Sequence, residues 1–129
     1  MKSRESLIRA KRFQTDDARR RLAQIDTMIA EFDRMAADLD RDVAAEEARS
    51  GINDPRHFAY PPLAAAARQR RVNLAQSAQE LRQQRDEAHD AFQEAEAQLQ
   101  LAEAAGERER AGEAMERRGS WRQGEPARL

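Results

Sequence analysis

The side chains able to do chemistry in this 129-residue chain are few. There are two histidines, His57 and His89, and no cysteine. A metal held by imidazoles needs both rings on one ion; these two lie far apart in sequence, so a two-histidine site is not expected. The five serines, Ser3, Ser6, Ser50, Ser77 and Ser120, stand in no context that suggests a nucleophile with its base and orienting acid. Two acidic groups, Asp38/Asp40/Asp42 and Glu94/Glu96, carry carboxylates enough for a divalent cation. A spacing of two spreads such groups around a helix, so they read as solvated faces paired with arginines. No Gly-rich phosphate loop occurs. The chain is therefore expected to be no enzyme, with no metal and no cofactor. His57 reads as a turn residue and His89 as a solvated helix position.

Two basic clusters, Arg19-Arg20-Arg21 and Arg68/Arg70/Arg71, raise the question of nucleic acid. Binding of that kind needs a net basic surface and aromatic rings for stacking. Here Lys+Arg number 23 against 24 Asp+Glu, and aromatics make up only 5%. The arginines are expected to pair within the chain, and no nucleic-acid partner is expected.

The elements that would position these residues follow from Gly and Pro. Pro occurs only at 55, 61, 62 and 126, and Gly only at 51, 106, 112, 119 and 124. Residues 1–50 and 63–105 thus contain neither helix breaker. In the first stretch Ala18, Leu22, Ile25, Ile29, Phe32, Ala36, Leu39 and Val43 alternate spacings of four and three. That is the apolar seam of a coiled coil, weakening backwards through Thr15, Lys11 and Ile8. The second stretch carries a poorer seam: Ala64, Ala67, Arg71, Leu74, Ala78, Leu81, Arg85, Ala88, Phe92, Ala95, Leu99 and Ala102. Small knobs bury little area, at about 25 cal/mol per Å², so modest stability is expected.

Charge order selects the arrangement. The net charge is +5 over residues 1–25, −6 over 26–48, +5 over 49–85, −7 over 86–109 and +2 over 110–129. Folded back near residue 55, each block meets its opposite; a parallel dimer would stack like on like. Each exposed pair contributes only about 0.2–1 kcal/mol. About ten pairs still separate the two arrangements by several kcal/mol. With facing positions summing to about 110, Phe92 meets Ala18 and Phe32 meets Ala78. Arg71 and Arg85 then reach the acids around Leu39 and Ile25.

The expected fold is all-α: an antiparallel two-helix coiled-coil hairpin over residues 1–118, with a frayed C-terminal tail. Helix 1 covers about 3–50, the turn 51–61 and helix 2 about 62–110; residues 119–129 form a disordered tail carrying Trp121. Each long helix would span about 70 Å. Gly51 with Ile52 suits a Schellman cap, Asp54-Pro55 a capped short helical turn, and Pro61 or Pro62 the start of helix 2. Met28, Met35 and Val72 flank the seams as a widened stripe or a contact surface. The Met1–Glu5 start lacks a secretory apolar stretch, and no run of about 18 apolar residues could span a membrane. This pattern is compatible with the cytoplasm, and the chain is expected to be a monomer on its own.

Three segments carry a family resemblance: Met1-Lys2-Ser3-Arg4-Glu5-Ser6-Leu7-Ile8-Arg9, the turn Gly51-Ile52-Asn53-Asp54-Pro55-Arg56-His57-Phe58-Ala59-Tyr60-Pro61, and Arg70-Arg71-Val72-Asn73-Leu74. Over about residues 1–105 the chain resembles the FliJ-type flagellar export proteins, in their alphaproteobacterial form. The resemblance implies a small coiled coil at the inner face of the cell membrane at the flagellar base. Such a protein couples the hexameric export ATPase to the cytoplasmic domain of the membrane export gate and escorts empty substrate chaperones. Independently of the family, Phe58, Tyr60, Arg68 and Arg70 are the expected partner-contact residues near the turn, a packed hairpin tip being the other reading of Phe58 and Tyr60. The alternative reading is a structural coiled-coil spacer or dimeric adaptor unrelated to secretion.

Overall fold

A computed structural model of the chain describes the backbone of residues 2–124 and the side chains of residues 3–119. It holds two α-helices, α1 (Lys2–Ser50) and α2 (Pro62–Gly124), and no strand among the described residues. They pack against each other as an antiparallel hairpin, with Arg71 bonded to Asp40 and Arg4 bonded to Glu109. The hairpin divides into two units, Arg20–His89 with the turn, and Met1–Arg19 with Asp90–Leu129.

In the turn-bearing unit the most enclosed residues are small or single: Ala64, Ala67, Ala78 and Ala88, with Ile25, Val43, Tyr60 and Leu81. Leu22, Ile29, Phe32, Ala36, Leu39 and Leu74 are half-buried. A seam of only two helices is open to water on both flanks, so large side chains lose only part of their exposed area. Alanine disappears between the helices because the backbones approach closely over it.

In the unit that carries the termini the seam runs through polar residues. Thr15 is 2% exposed, and its hydroxyl stands 2.8 Å from the Lys11 carbonyl and 3.2 Å from that of Ala95 on α2. The hydroxyl is thus satisfied in place of a buried methyl. Ala102 and Gly106 are buried; Ile8, Lys11, Ala18, Phe92, Ala95 and Leu99 are half-buried.

Two expectations are corrected along α2. The helix continues to Gly124, past the expected end near 110, and so overlaps the expected tail 119–129; residues 125–129 lie outside the described ones. The side chain of Trp121 also lies outside them. Gly106 does not fray the helix. A Cβ there would sit 3.2 Å from Ile8 Cδ1 and 3.6 Å from Arg4 Cγ, so the position is a close approach between helices. Each interior glycine costs about 1 kcal/mol against alanine. The surrounding Ala, Glu and Arg are strong helix formers that offset this.

The link between helices is built from capping bonds. Gly51 has φ +75°, and its amide donates to the Glu47 carbonyl at 2.9 Å. That single bond makes an αL cap in place of the expected Schellman motif, because the Ile52 amide donates to Ser50 Oγ at 3.1 Å instead. Asp54 Oδ1 accepts from the Arg56 amide at 2.9 Å, and the Asp54 carbonyl accepts from His57 at 3.0 Å. This is the capped turn that Asp54-Pro55 leads one to expect, a single i→i+3 turn with the Asp54 carboxylate at its start. Pro61 supplies the first carbonyl of α2, accepting from Ala65 at 3.0 Å, and Pro62 occupies the first helical position.

Two glycines give opposite outcomes. Gly112 is exposed with nothing within 4 Å of an added Cβ, so Gly112→Ala raises stability by about 0.5–1 kcal/mol. Gly51→Ala forces a side chain into the left-handed region and lowers stability by about 1 kcal/mol or more. Urea denaturation of the two variants beside the parent chain checks both signs.

Candidate functional site

Open grooves run along the flanks of this hairpin, and these flanks with the turn are its candidate functional surface. In heptad terms each helix has a position just after the seam and one just before it, and in an antiparallel pair like positions meet. On α1 of the turn-bearing unit the position after the seam is Asp26, Asp33 and Asp40. Each carboxylate meets an arginine of α2: Asp26 with Arg85 at 2.5 Å, Asp33 with Arg82 at 2.8 Å and Asp40 with Arg71 at 3.1 Å. Two of these arginines, Arg71 and Arg85, come from seam positions. Their alkyl stems fill the seam while the guanidinium groups snorkel to its edge. This places Arg71 and Arg85 beside the acids expected from the sequence register.

The opposite flank has a different character. Its α1 positions are Arg21, Met28, Met35 and Asp42, seven residues apart. Met28 and Met35 are 42% and 48% exposed, so they belong to the outer surface rather than to a widened core stripe. A groove of about 500 Å³ opens there, lined by Met35, Asp38, Leu39, Arg70, Asn73, Leu74 and Ser77. Val72, 49% exposed, lies on the ion-pair side, lining a shallower groove with Asp40, Val43, Arg68 and Arg71.

Of the four residues expected to touch partners, three are accessible. Phe58 is 97% exposed at the turn, its ring stacked on His57 with centroids 4.7 Å apart. Arg68 and Arg70 are exposed on α2. Tyr60 is the exception and corrects the expectation: it is 8% exposed, and its hydroxyl donates to Glu47 Oε2 at 3.2 Å. The tyrosine closes the hairpin end, so Phe58 and the arginines form the free surface without it. Burial raises the Tyr60 pKa above its ordinary 10.0, the adjacent Glu47 carboxylate adds to the rise, and Arg68 opposes it.

Several of the residues weighed for chemistry are engaged in structural contacts. His57 Nδ1 accepts from the Ala59 amide at 2.9 Å, which tightens the turn. His89 is half-buried and engaged by a neighbouring group. Asp38 pairs with Arg41 on its own helix and Asp40 with Arg71 across the seam, so the three aspartates do not converge. Glu94 accepts from Gln98 at 3.0 Å. Among the described residues no group of three potential metal ligands gathers, and no helix is long and apolar enough to cross a membrane. Of the first basic cluster, Arg19 bonds Asp16 at 3.1 Å and stands 5.4 Å from the Phe92 ring centre.

The sequence reasoning missed the ion pair at the terminal end. Arg4 Nη2 and Nε donate to Glu109 Oε1 at 3.0 and 3.2 Å. These bonds hold the Glu109 pKa below its ordinary 4.5, against the opposing effect of burial. The signal is in the sequence, since both residues continue the seam spacing beyond Ile8 and Ala102, with Gly106 standing between Ala102 and Glu109. Comparisons with protein-family models, curated proteins and solved structures gave no match.

Two titrations follow. The chain has one tyrosine, so tyrosinate absorbance reports Tyr60 alone. Its midpoint lies above 10.0 in the native chain and falls toward that value in Glu47→Gln. A raised pKa means the contact stabilises the fold below pH 10 and loses that effect as pH rises through the native midpoint. Glu109 behaves in the reverse sense. Its contribution is full above about pH 4.5 and is lost as pH falls through the lowered native value. Glu109→Gln therefore removes part of the acid-induced loss of protection of the α1 amides near Arg4, as measured by hydrogen exchange.

Proposed function

We propose that this chain is a non-enzymatic coupling and escort component of the flagellar type III protein export apparatus. It would work in the cytoplasm, peripherally at the inner face of the cell membrane at the flagellar base. The observation that carries the reading is the turn, residues 51–61, whose sequence is the most specific part of the resemblance to FliJ-type proteins. In the structure that segment joins two long helices and presents an aromatic ring to solvent.

The chemistry of the hairpin supports a binding role over a catalytic one. Ion pairs of Arg71, Arg82 and Arg85 with Asp40, Asp33 and Asp26 edge one side of its seam, and accessible apolar groups such as Met28, Met35 and Phe58 lie on outer faces. Phe58 with Arg68 and Arg70 offers a ring flanked by cations, suited to an acidic, partly apolar surface such as one on the cytoplasmic domain of the export gate. The half carrying the termini would engage the export ATPase hexamer. Substrate-specific chaperones released from cargo would be held and passed on. Coupling then means that binding at one end biases which state of the partner at the other end is populated.

Co-purification with the export ATPase and with the gate's cytoplasmic domain tests the reading, together with swarming of a deletion strain. Both partners are expected to be retained, and deletion is expected to abolish or strongly reduce motility. Phe58→Ala combined with Arg70→Ala should weaken gate binding by about tenfold or more while leaving ATPase binding unchanged. Retention of neither partner, with normal motility on deletion, would refute the proposal.

A further inference from the structure

We propose that the methionine-bearing flank of the turn-bearing unit is a self-association surface, on which a second copy of this chain docks antiparallel through α1. The inference stands apart from the export reading and rests on one row of residues. Arg21, Met28, Met35 and Asp42 recur every seven residues on the same side of α1. Turned end for end, the row is complementary to itself: Met28 faces Met35 of the second copy, and Arg21 faces its Asp42.

Three observations make this row available. Both methionines stand well out of the seam, at 42% and 48% exposed. The groove beside Met35 has an apolar floor in Leu39 and Leu74. It is wide enough at about 500 Å³ to admit an unbranched side chain from outside. Arg21 and Asp42 are exposed, and neither has a hydrogen bond or ion pair among the described residues. The aspartates on the other flank, by contrast, are each engaged across the seam.

A two-fold axis relates the copies, so each charge contact forms twice and the interface is closed. The row spans about 30 Å of helix, which places the contact among small, transient interfaces. Glu31 falls between the methionines, and the axis brings it near its own mate. That repulsion weakens the pair, and the dissociation constant is expected on the order of 10–100 µM.

Sedimentation equilibrium of the full chain tests the proposal. A monomer–dimer equilibrium is expected, with Arg21→Asp or Asp42→Arg alone each weakening it about tenfold. The two substitutions together restore it to within about threefold. Helical circular dichroism should be unchanged in all three, since neither residue has a partner inside the chain. Because the chain has no cysteine, Met28→Cys and Met35→Cys chains can be mixed and oxidised. The mixed 28–35 disulfide should dominate. A chain that stays monomeric to about 1 mM, ten times the upper end of that range, would overturn the proposal. So would failure of the charge exchange to restore association, or a majority of 28–28 and 35–35 products.

Discussion

Two helices each bury a single stripe, and water reaches that stripe from both sides. Among the described residues no third layer covers it, so apolar area alone is a weak guide to one arrangement. The constraint shows in which residues vanish from solvent: four alanines, Ala64, Ala67, Ala78 and Ala88, do so with Ile25, Val43, Tyr60 and Leu81, while Phe32 and Phe92 are only half enclosed. Burying alanine at these positions requires the helices to approach closely, and small residues are the condition for that approach. Gly106 against Ile8 is the extreme of the same rule, at a position where even a methyl group would press on its neighbour.

Close approach does not choose a partner or a direction, because one alanine resembles another. Polar groups at the edge of the seam make that choice. Asp26, Asp33 and Asp40 each find an arginine on α2, and Thr15 bonds across to the Ala95 carbonyl. Individually such exposed pairs contribute little. Their collective value lies in discrimination, since a parallel neighbour would offer acid to acid.

The sequence made much of this legible. Gly and Pro positions marked both helices, the alternating three-and-four spacing marked the seam, and the order of charge blocks marked the antiparallel fold. Even the facing of Asp40 with Arg71 and of Asp26 with Arg85 could be read from a constant positional sum. What stayed hidden depended on three-dimensional crowding. A glycine in a list of residues looks like a breaker, and only the neighbouring Ile8 shows Gly106 to be a point of contact. A tyrosine in a turn can be a surface anchor or part of a packed tip, and the proximity of Tyr60 to Glu47 across the cap is invisible without the path of the chain. The flanks were legible as residue types but not as sides, so Met28, Met35 and Val72 could not be sorted until the seam's two edges were distinguished.

The aspartate–arginine ladder also acts as a ratchet stop. Shifting α2 by one heptad in one direction would put Phe92, His89 and Ala78 where Arg85, Arg82 and Arg71 now stand. Shifting it the other way would put Ala78, Ala75 and Ala64 there. Neither slip leaves an arginine opposite any of the three acids, although the alanine-rich seam itself would tolerate both. Coiled coils with uniform edges can pass a signal by sliding between such registers. In the turn-bearing unit a slip by one heptad breaks all three cross-seam ion pairs at once, so the ladder favours one register of the two helices over its neighbours.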